Sequence, residues 1–339
     1  MSLTGPATDD AKATGAGRRR SIPVGDLLFR YALVLAWLAI IAIFGLLRPD
    51  TFLTSANFKT IFGSQAVLLI VALALTVALT SGEFDLSIGG TLGLSLVLVG
   101  WLNVDQGWAI IPAIVAALAA GIAVGLVNAF FIVVVDVDSI VVTLGMGTLL
   151  SGVAVGVNNA TVSGISHSLV HAARNEFLGV QHAFWFGLIL TAVIWYVYSY
   201  TPLGRHLYFV GAGRDVARLS GLRVDAIRIG SLVFSGFVAA LAGVVLAGTL
   251  GAADPSVGPS YLLPAFAAAF LGSTAISPGR FNPWGTFVAV YFLVTGITGL
   301  QLLGLVGWIE QFFYGASLVL AVTFSRLVGR RRASSLASD

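Results

Sequence analysis

Cysteine is absent from the 339-residue chain, and charged residues make up only 10% of it. The absence of cysteine excludes disulfides, thiolate chemistry and cysteine-ligated metal sites. Lysine occurs only at positions 12 and 59, so the chain has no G-x-x-x-x-G-K-[ST] loop with which to hold ATP in the usual P-loop way. No G-x-S-x-G elbow or Ser/His/Asp arrangement indicates a hydrolase. The sequence therefore predicts no catalytic residues and no cofactor.

Long apolar segments dominate what is present. Hydrophobic residues make up 58% of the chain. Charged residues make up 10% of it, whereas a soluble protein carries about 25% charged residues. A helix needs about 20 apolar residues to cross the hydrocarbon core, and ten segments meet or approach that length: 27–47, 61–80, 86–102, 109–135, 140–158, 183–200, 229–250, 261–276, 284–301 and 306–325. We therefore predict an all-α polytopic membrane protein with about ten transmembrane helices, some of them short or broken.

This reading divides the chain into a transmembrane domain at 27–325 and two cytoplasmic tails at 1–26 and 326–339, the first of them disordered. Basic residues accumulate in cytoplasmic loops. With the N-terminus inside and ten alternating spans, only Arg48, Lys59 and Arg174 of the 18 basic residues fall outside. The sequence thus predicts an N-in/C-in topology. The sequence lacks a basic face interleaved with aromatic residues, so we expect no nucleic-acid partner.

The longest outer segment, 159–182, contains His167 and His171, four residues apart. Neither an H-E-x-x-H motif nor a second carboxylate cluster accompanies them. We expect a solvated outer loop and no metal site.

Glycine is abundant, with 40 residues, and small residues recur within the spans, as in Gly121-x-x-x-Gly125. Such spacing lets helices approach closely in lipid. We interpret it as helix packing and not as transport chemistry.

Ionisable residues are nearly missing from the middle of the spans, where proton-coupled carriers usually bury them. This weighs against a stand-alone ion- or proton-coupled secondary carrier, which stays open as the alternative, as does a structural or receptor-like membrane protein. Polar residues within or at the ends of spans are candidates for a translocation path or, equally, for helix–helix contacts; they are Gln65, Asn128, Asn158 and Asn159.

Two carboxylates, Glu83 and Asp85, stand together in the stretch SGEFDLSIGG at 81–90, between two apolar segments. A carboxylate near lipid is costly unless something solvates or pairs it. Locally, the stretch is either a hydrophilic turn or a functional element. We expect Asp85 to cap the next helix by accepting N–H bonds from its first turn.

The loop 201–228 carries a second candidate element. Residues 214–220 fit two helical turns, with Asp215 in the first turn and Arg218 towards the end, as the helix dipole favours, and with Gly221 as the C-terminal cap. Ala217 and Leu219 would offer a small apolar surface on this basic helix. From local sequence alone, the helix is either a solvated connector or a docking element.

Several motifs, in order, resemble those of the ribose-type permeases, the membrane subunits of bacterial ABC importers for monosaccharides and related solutes. The G-x-x-D-L-S-[VI]-G pattern at 82–89 is the most recognisable, and the resemblance runs from about 27 to 325. The other matching stretches are TFLTSANF at 51–58, TPLGR at 201–205, GRDVARLSG at 213–221, LGST at 271–274 and PGRFNPWGT at 278–286. Glu83 departs from the pattern, since that position is often small in the family.

The resemblance implies a multi-pass protein of the bacterial inner membrane that translocates a monosaccharide or similar small polyhydroxyl solute. Its implied partners are an ABC ATPase subunit that binds ATP, a periplasmic or lipid-anchored solute-binding protein, a second permease copy (identical or a paralogue) and membrane lipid. It also implies a coupling site for the ATPase, which comprises Gly213, Arg214, Asp215, Ala217, Arg218 and Gly221. The implied gate or hinge motif comprises Glu83, Asp85, Ser87 and Gly89.

Overall fold

The computed structural model describes the backbone of residues 24–336 and the side chains of residues 30–324. Residues 1–23 and 337–339 of the predicted tails lie outside this range. The α-helices, in chain order, are α1 (Val24–Leu47), α2 (Pro49–Phe52), α3 (Ser55–Ser64), α4 (Ala66–Thr80), α5 (Ile88–Gly100), α6 (Ile110–Ala129), α7 (Ser139–Val157), α8 (His167–Arg174), α9 (His182–Tyr200), α10 (Pro202–Ala212), α11 (Arg214–Leu219), α12 (Val224–Leu250), α13 (Leu262–Gly272), α14 (Pro283–Leu302) and α15 (Trp308–Leu336).

Each of the ten predicted segments coincides with a helix or a pair of consecutive helices. Within the described range, eight helical segments are long and apolar enough to cross a membrane. Two shorter apolar helices, Gly258–Gly272 and Trp308–Phe324, account for the other two segments. Helix α1 begins at Val24 and α15 runs on to Leu336, so both helices extend into the segments predicted as tails.

Several spans are irregular. Helices α3 and α4 are interrupted at Gln65, α5 and α6 end in π-helical turns at Trp101–Asp105 and Phe130–Val134, and α13 follows the 3₁₀ turn Gly258–Tyr261. The predicted short or broken spans are therefore confirmed.

The centre of the molecule is built from α4, α5 and α12. Every residue of α4 is buried, whereas α1 and α7 leave most of their apolar side chains exposed. The predicted glycine contact is confirmed: a Cβ at Gly121 or Gly125 of α6 would meet the backbone of α12. Small residues thus bring α6 and α12 together, as the spacing indicated.

Loops predicted on the outer side meet at one end of the bundle. There, Lys59 Nζ lies 2.7 Å from Glu176 Oε2. Two short pairs of antiparallel β-strands also lie in these loops. Strand β1 (Val162–Ser163) pairs with β4 (Ala252–Ala253), and β2 (Glu176–Phe177) pairs with β3 (Val180–Gln181). The amide and hydroxyl of Ser256 donate to Asp254 and hold the pKa of its carboxyl below the ordinary value.

Segments predicted on the cytoplasmic side meet at the opposite end. Arg30 Nε donates to the carbonyl of Ile276. The Tyr208 hydroxyl donates to the carbonyl of Phe281 over 2.6 Å, and Arg214 donates to the carbonyl of Gly82 over 3.1 Å. The two sets of loops therefore alternate between the ends of the bundle, as the ten-span topology requires.

Candidate functional site

The stretch 81–87, which we call the connector, joins α4 to α5 without forming a helix. Its polar side chains face inward: Ser81, Glu83, Asp85 and Ser87 are at most 1% exposed. Irregular backbone at membrane depth is tolerated only where protein or water covers it. The connector meets this requirement by bonding to four other helices, so it is more than a solvated turn.

Glu83 links two arginines to the connector. Its Oε1 accepts hydrogen bonds from Arg228 Nε at 2.5 Å and from Arg214 Nη2 at 2.8 Å. The Glu83 side chain is fully buried, that of Arg228 at the start of α12 is 6% exposed, and that of Arg214 on α11 is 42% exposed. Glu83 Oε2 is buried without a hydrogen-bond partner among the described residues. A single carboxylate thus bridges the partly exposed helix α11 and the buried core.

Asp85 makes a second set of contacts, in which its side-chain partners are uncharged serine hydroxyls. Its Oδ1 accepts the amide and the hydroxyl of Ser87 at 3.0 and 2.6 Å. Its Oδ2 accepts the hydroxyl of Ser235 on α12 at 2.7 Å. The predicted capping role is wrong: Ser87 occupies the N-cap position of α5, and no side chain caps that helix. One oxygen of the carboxylate therefore binds the N-cap residue of α5, and the other binds α12.

Helix α7 holds the connector backbone. The Phe84 amide donates to Ser139 Oγ at 3.3 Å, and the Leu86 amide donates to Thr143 Oγ1 at 3.0 Å. These two bonds replace the backbone partners that a non-helical segment lacks. Gly89 lies against the carbonyl of Gly258, which a Cβ at position 89 would meet at 3.0 Å. The start of α5 is therefore packed on both sides.

The helix predicted at 214–220 is α11, and its predicted cap is confirmed. Gly221 has φ +81°, and the Gly221 and Leu222 amides donate to the carbonyls of Arg218 and Ala217. This is the glycine-capped geometry that ends many helices. Asp215 lies in the first turn and Arg218 in the last.

The predicted apolar surface of α11 needs one correction. Ala217 is fully buried, and it packs with Val210 and Val224. The exposed apolar side chains are Leu219 at 89% and Val216 at 59%. The error arose because local sequence does not show which face of a two-turn helix meets the protein.

Glycine lets the segment before α11 touch the connector. A Cβ at Gly211 would overlap the Thr80 carbonyl, and one at Gly82 would lie 3.5 Å from the Gly211 Cα. Gly82 also has φ +82°, a conformation that favours glycine. Backbone contact and the Arg214–Glu83 ion pair therefore connect the same two segments.

The four candidate path residues do not come together. Asn128 is buried and donates to Ser87 Oγ at 2.8 Å, which makes it part of the connector's surroundings. Gln65 is half-buried at the break between α3 and α4. Asn158 donates to Asp105 at the outer end, and Asn159 beside it is exposed.

Sequence reasoning missed the residues that hold the connector from the other helices. Arg228, Ser231 and Ser235 are spaced by three and four residues, which places them on one face of α12. Ser139 and Thr143 show the same spacing on α7. A polar stripe on an otherwise apolar helix was the available signal. In the described part of the chain, no group of His, Asp and Glu residues suits a metal ion.

Comparison with known protein families identifies the family of this chain. Residues 57–322 match the model of a family described as "Branched-chain amino acid transport system / permease component". The chain belongs to this family. The match covers the connector, α11 and the whole central bundle.

Named relatives agree with this assignment. The ribose import permease protein of Escherichia coli (strain K12) is 31% identical over 294 residues, which cover 85% of this chain and 91% of the relative. The D-allose transport system permease protein of the same strain is 27% identical over 292 residues, 86% and 90% of the two chains. The autoinducer 2 import system permease protein of Salmonella typhi is 28% identical over 292 residues, 85% and 84%.

The protein is therefore a permease subunit, a multi-pass transport component of the inner membrane and not an enzyme. The predicted family and fold class are confirmed. Membership also implies a separate ATPase subunit and a solute-binding protein as partners.

Proposed function

We propose that this permease carries a monosaccharide or a similar small polyhydroxyl solute into the cytoplasm. Support comes from the relatives, two of which are named for ribose and D-allose. The family description names branched-chain amino acids, which are the second candidate class.

The cognate solute-binding protein provides the test of the solute. It should be titrated with pentoses, hexoses and polyols, with leucine, isoleucine and valine as the comparison. Binding of a sugar or polyol supports the proposal. Binding restricted to the branched-chain amino acids would replace it with the second class.

The ATPase subunit docks on α11 in this proposal. The observation that carries it is the Glu83 carboxylate, which pairs Arg214 of α11 with Arg228 of the core. Val216, Arg218 and Leu219 provide the exposed contact surface. Gly213 and Gly221 bound the helix, and Asp215 and the buried Ala217 complete it.

Movement of α11 would reach the connector through the Arg214–Glu83 pair and the contact at Gly211. The connector then acts as the gate or hinge, with Asp85, Ser87 and Gly89 holding its junction with α5. Phe84 in the same segment stacks on Phe270 of α13, with ring centroids 6.4 Å apart. A shift of the connector would therefore displace an aromatic contact between two core helices.

The translocation path forms between two permease copies, identical or paralogous, in this proposal. Asn158 and Asn159 lie at the outer end of α7, which leaves most of its apolar surface exposed. We assign them to the outer entrance, and Gln65 to the same region. Asn128 serves as a contact between α6 and the connector.

Reconstitution tests the coupling. The permease, its ATPase and its binding protein are placed in proteoliposomes, and Arg214→Ala is compared with Arg205→Ala, an exposed arginine of the same loop. Arg214→Ala should lower solute-stimulated ATP hydrolysis and uptake, because the variant removes the ionic contact that joins α11 to the connector; hydrogen bonds to charged groups contribute about 1.5–3 kcal/mol, and the partial exposure of Arg214 places the effect at a few-fold to about tenfold. Equal effects of the two variants would contradict the assignment of Arg214.

The same vesicles address the stand-alone secondary carrier. The permease alone should give no uptake under an imposed proton or sodium gradient. Gradient-driven uptake without the ATPase and ATP would favour the carrier instead.

A further inference from the structure

A cavity of about 570 Å³ lies beside α11, at the end of the bundle predicted to be cytoplasmic. No connector residue lines it, although Ser231 does, and the Ser231 hydroxyl lies 2.7 Å from that of Ser81. Helices α9, α10 and α12 form its walls. Its lining is largely apolar and includes Val193, Val197, Leu203, Ile227 and Phe234. The volume falls within the range of about 300–1,000 Å³ that is typical of ligand-binding pockets.

Two basic side chains, His206 and Arg223, also line this cavity. Neither has a hydrogen-bond, ion-pair or aromatic partner in the part of the chain that the structure describes. The arginines nearby differ in this respect, since Arg214 and Arg228 pair with Glu83. The cavity therefore combines an apolar interior with an unpaired arginine and an unpaired histidine, and it contains no carboxylate in its lining.

The position of the cavity places its opening toward lipid. Val193 and Leu203 in its lining are 52% and 50% exposed, and Ile189 and Tyr196 on the same helix as Val193 are each 59% exposed. Arg223 immediately precedes α12, at the boundary between the span and the cytoplasmic loop. Cationic residues at this depth lie at the level of the lipid headgroups.

We infer that this cavity binds an anionic phospholipid of the inner leaflet. The phosphate would lie at Arg223 and His206, and an acyl chain would lie along Val197 and Phe234. Basic pockets between transmembrane helices on the cytoplasmic side bind acidic lipid headgroups in this way. A zwitterionic lipid fits less well, because its own ammonium group competes for the phosphate. The inference needs the membrane placement of the chain and its predicted N-in orientation, and it does not rest on the proposed solute.

The test measures lipid retention by the full-length permease. Protein is purified from mixed vesicles of phosphatidylglycerol and phosphatidylcholine, and bound lipid is counted by native mass spectrometry. We expect preferential retention of phosphatidylglycerol. Arg223→Ala should lower it about fivefold, and Arg223→Ala with His206→Ala should lower it further. Arg205→Ala is the matched control, because Arg205 is exposed in the same loop but does not line the cavity.

A second variant fills the cavity without removing charge. A Cβ at Gly230 would meet nothing within 4 Å, so Gly230→Leu adds volume to the lining without backbone overlap. It should lower retention of phosphatidylglycerol to the level of phosphatidylcholine. The control is Gly156→Leu, since Gly156 of α7 has equally open surroundings and lies outside the cavity.

Three results would overturn the inference. The first is equal retention of both lipids by the unsubstituted protein, or an unchanged preference for phosphatidylglycerol in the cavity variants. The second is loss of ATPase binding in the cavity variants with lipid retention unchanged, which would assign the surface to the ATPase. The third is loss of permease self-association with lipid retention unchanged, which would assign it to a second copy.

Discussion

The Glu83–Arg228 pair is a buried interaction whose removal should give a strongly non-additive result. Breaking such a pair by removing one partner costs about 3–5 kcal/mol, because the other charge is left buried and unpaired. Arg228 is 6% exposed and Glu83 fully buried. Glu83→Gln should therefore destabilise the fold by about 3–5 kcal/mol. Arg228→Met should fall at the lower end, because Glu83 keeps its contact with Arg214.

The double variant carries the decisive comparison. In Glu83→Gln with Arg228→Met, neither buried charge remains, so the main penalty of each single variant disappears. Its cost should fall short of the sum of the two single costs by about 2–3 kcal/mol, the upper part of the range for residues in one network. Unfolding in SDS–detergent mixtures, followed by tryptophan fluorescence, measures all three values.

A matched cycle at the outer end provides the control. Lys59 and Glu176 form an ion pair at 2.7 Å, but their side chains are 44% and 49% exposed. Exposed pairs contribute about 0.2–1 kcal/mol, so these two substitutions to alanine should be nearly additive. If the Glu83–Arg228 cycle were also additive, the reasoning from burial would be refuted.

Three further substitutions examine the rest of the site. Asp85→Ala should leave the subunit able to assemble with the ATPase but should lower uptake in proteoliposomes, and unchanged uptake would return the connector to the status of a turn. Gly211→Ala should lower the thermal midpoint at a cost of about 1–3 kcal/mol, because the new methyl group overlaps the backbone of α4; Gly145→Ala, which has open space around it, should not lower it. Leu219→Asp should weaken co-purification of the ATPase, whereas Leu178→Asp, on the exposed outer hairpin, should not; equal effects of these two would contradict docking at α11.

The outcome at Asp85 shows where local reasoning fails. An aspartate just before an apolar segment is a reasonable N-cap candidate. Helix α5 begins two residues too late for that role, and Ser235 of α12 offers its hydroxyl from the side. The carboxylate binds Ser87 and Ser235 because those donors are within reach in the packed protein. The stretch is buried and bonded to its neighbours, and its role as a gate or hinge stays a prediction.

Sequence alone determined the class of this protein and most of its helix pattern. The bilayer imposes a minimum apolar length on each span, so ten segments could be recognised without knowing how they pack. The terminal cap of α11 was also predictable, because Gly221 supplies a left-handed conformation within the local chain. These features depend on neighbours in sequence or on the solvent.

Only the tertiary structure decided which charges and hydroxyls meet. Glu83 finds Arg228 across 145 residues of chain, and Asp85 finds Ser235 across 150. Such pairings depend on which faces of α4, α5 and α12 pack together, and helix periodicity states the faces but not their partners. Burial then fixes the consequence, because a charge costs little in a solvated turn and much in the core unless it is paired.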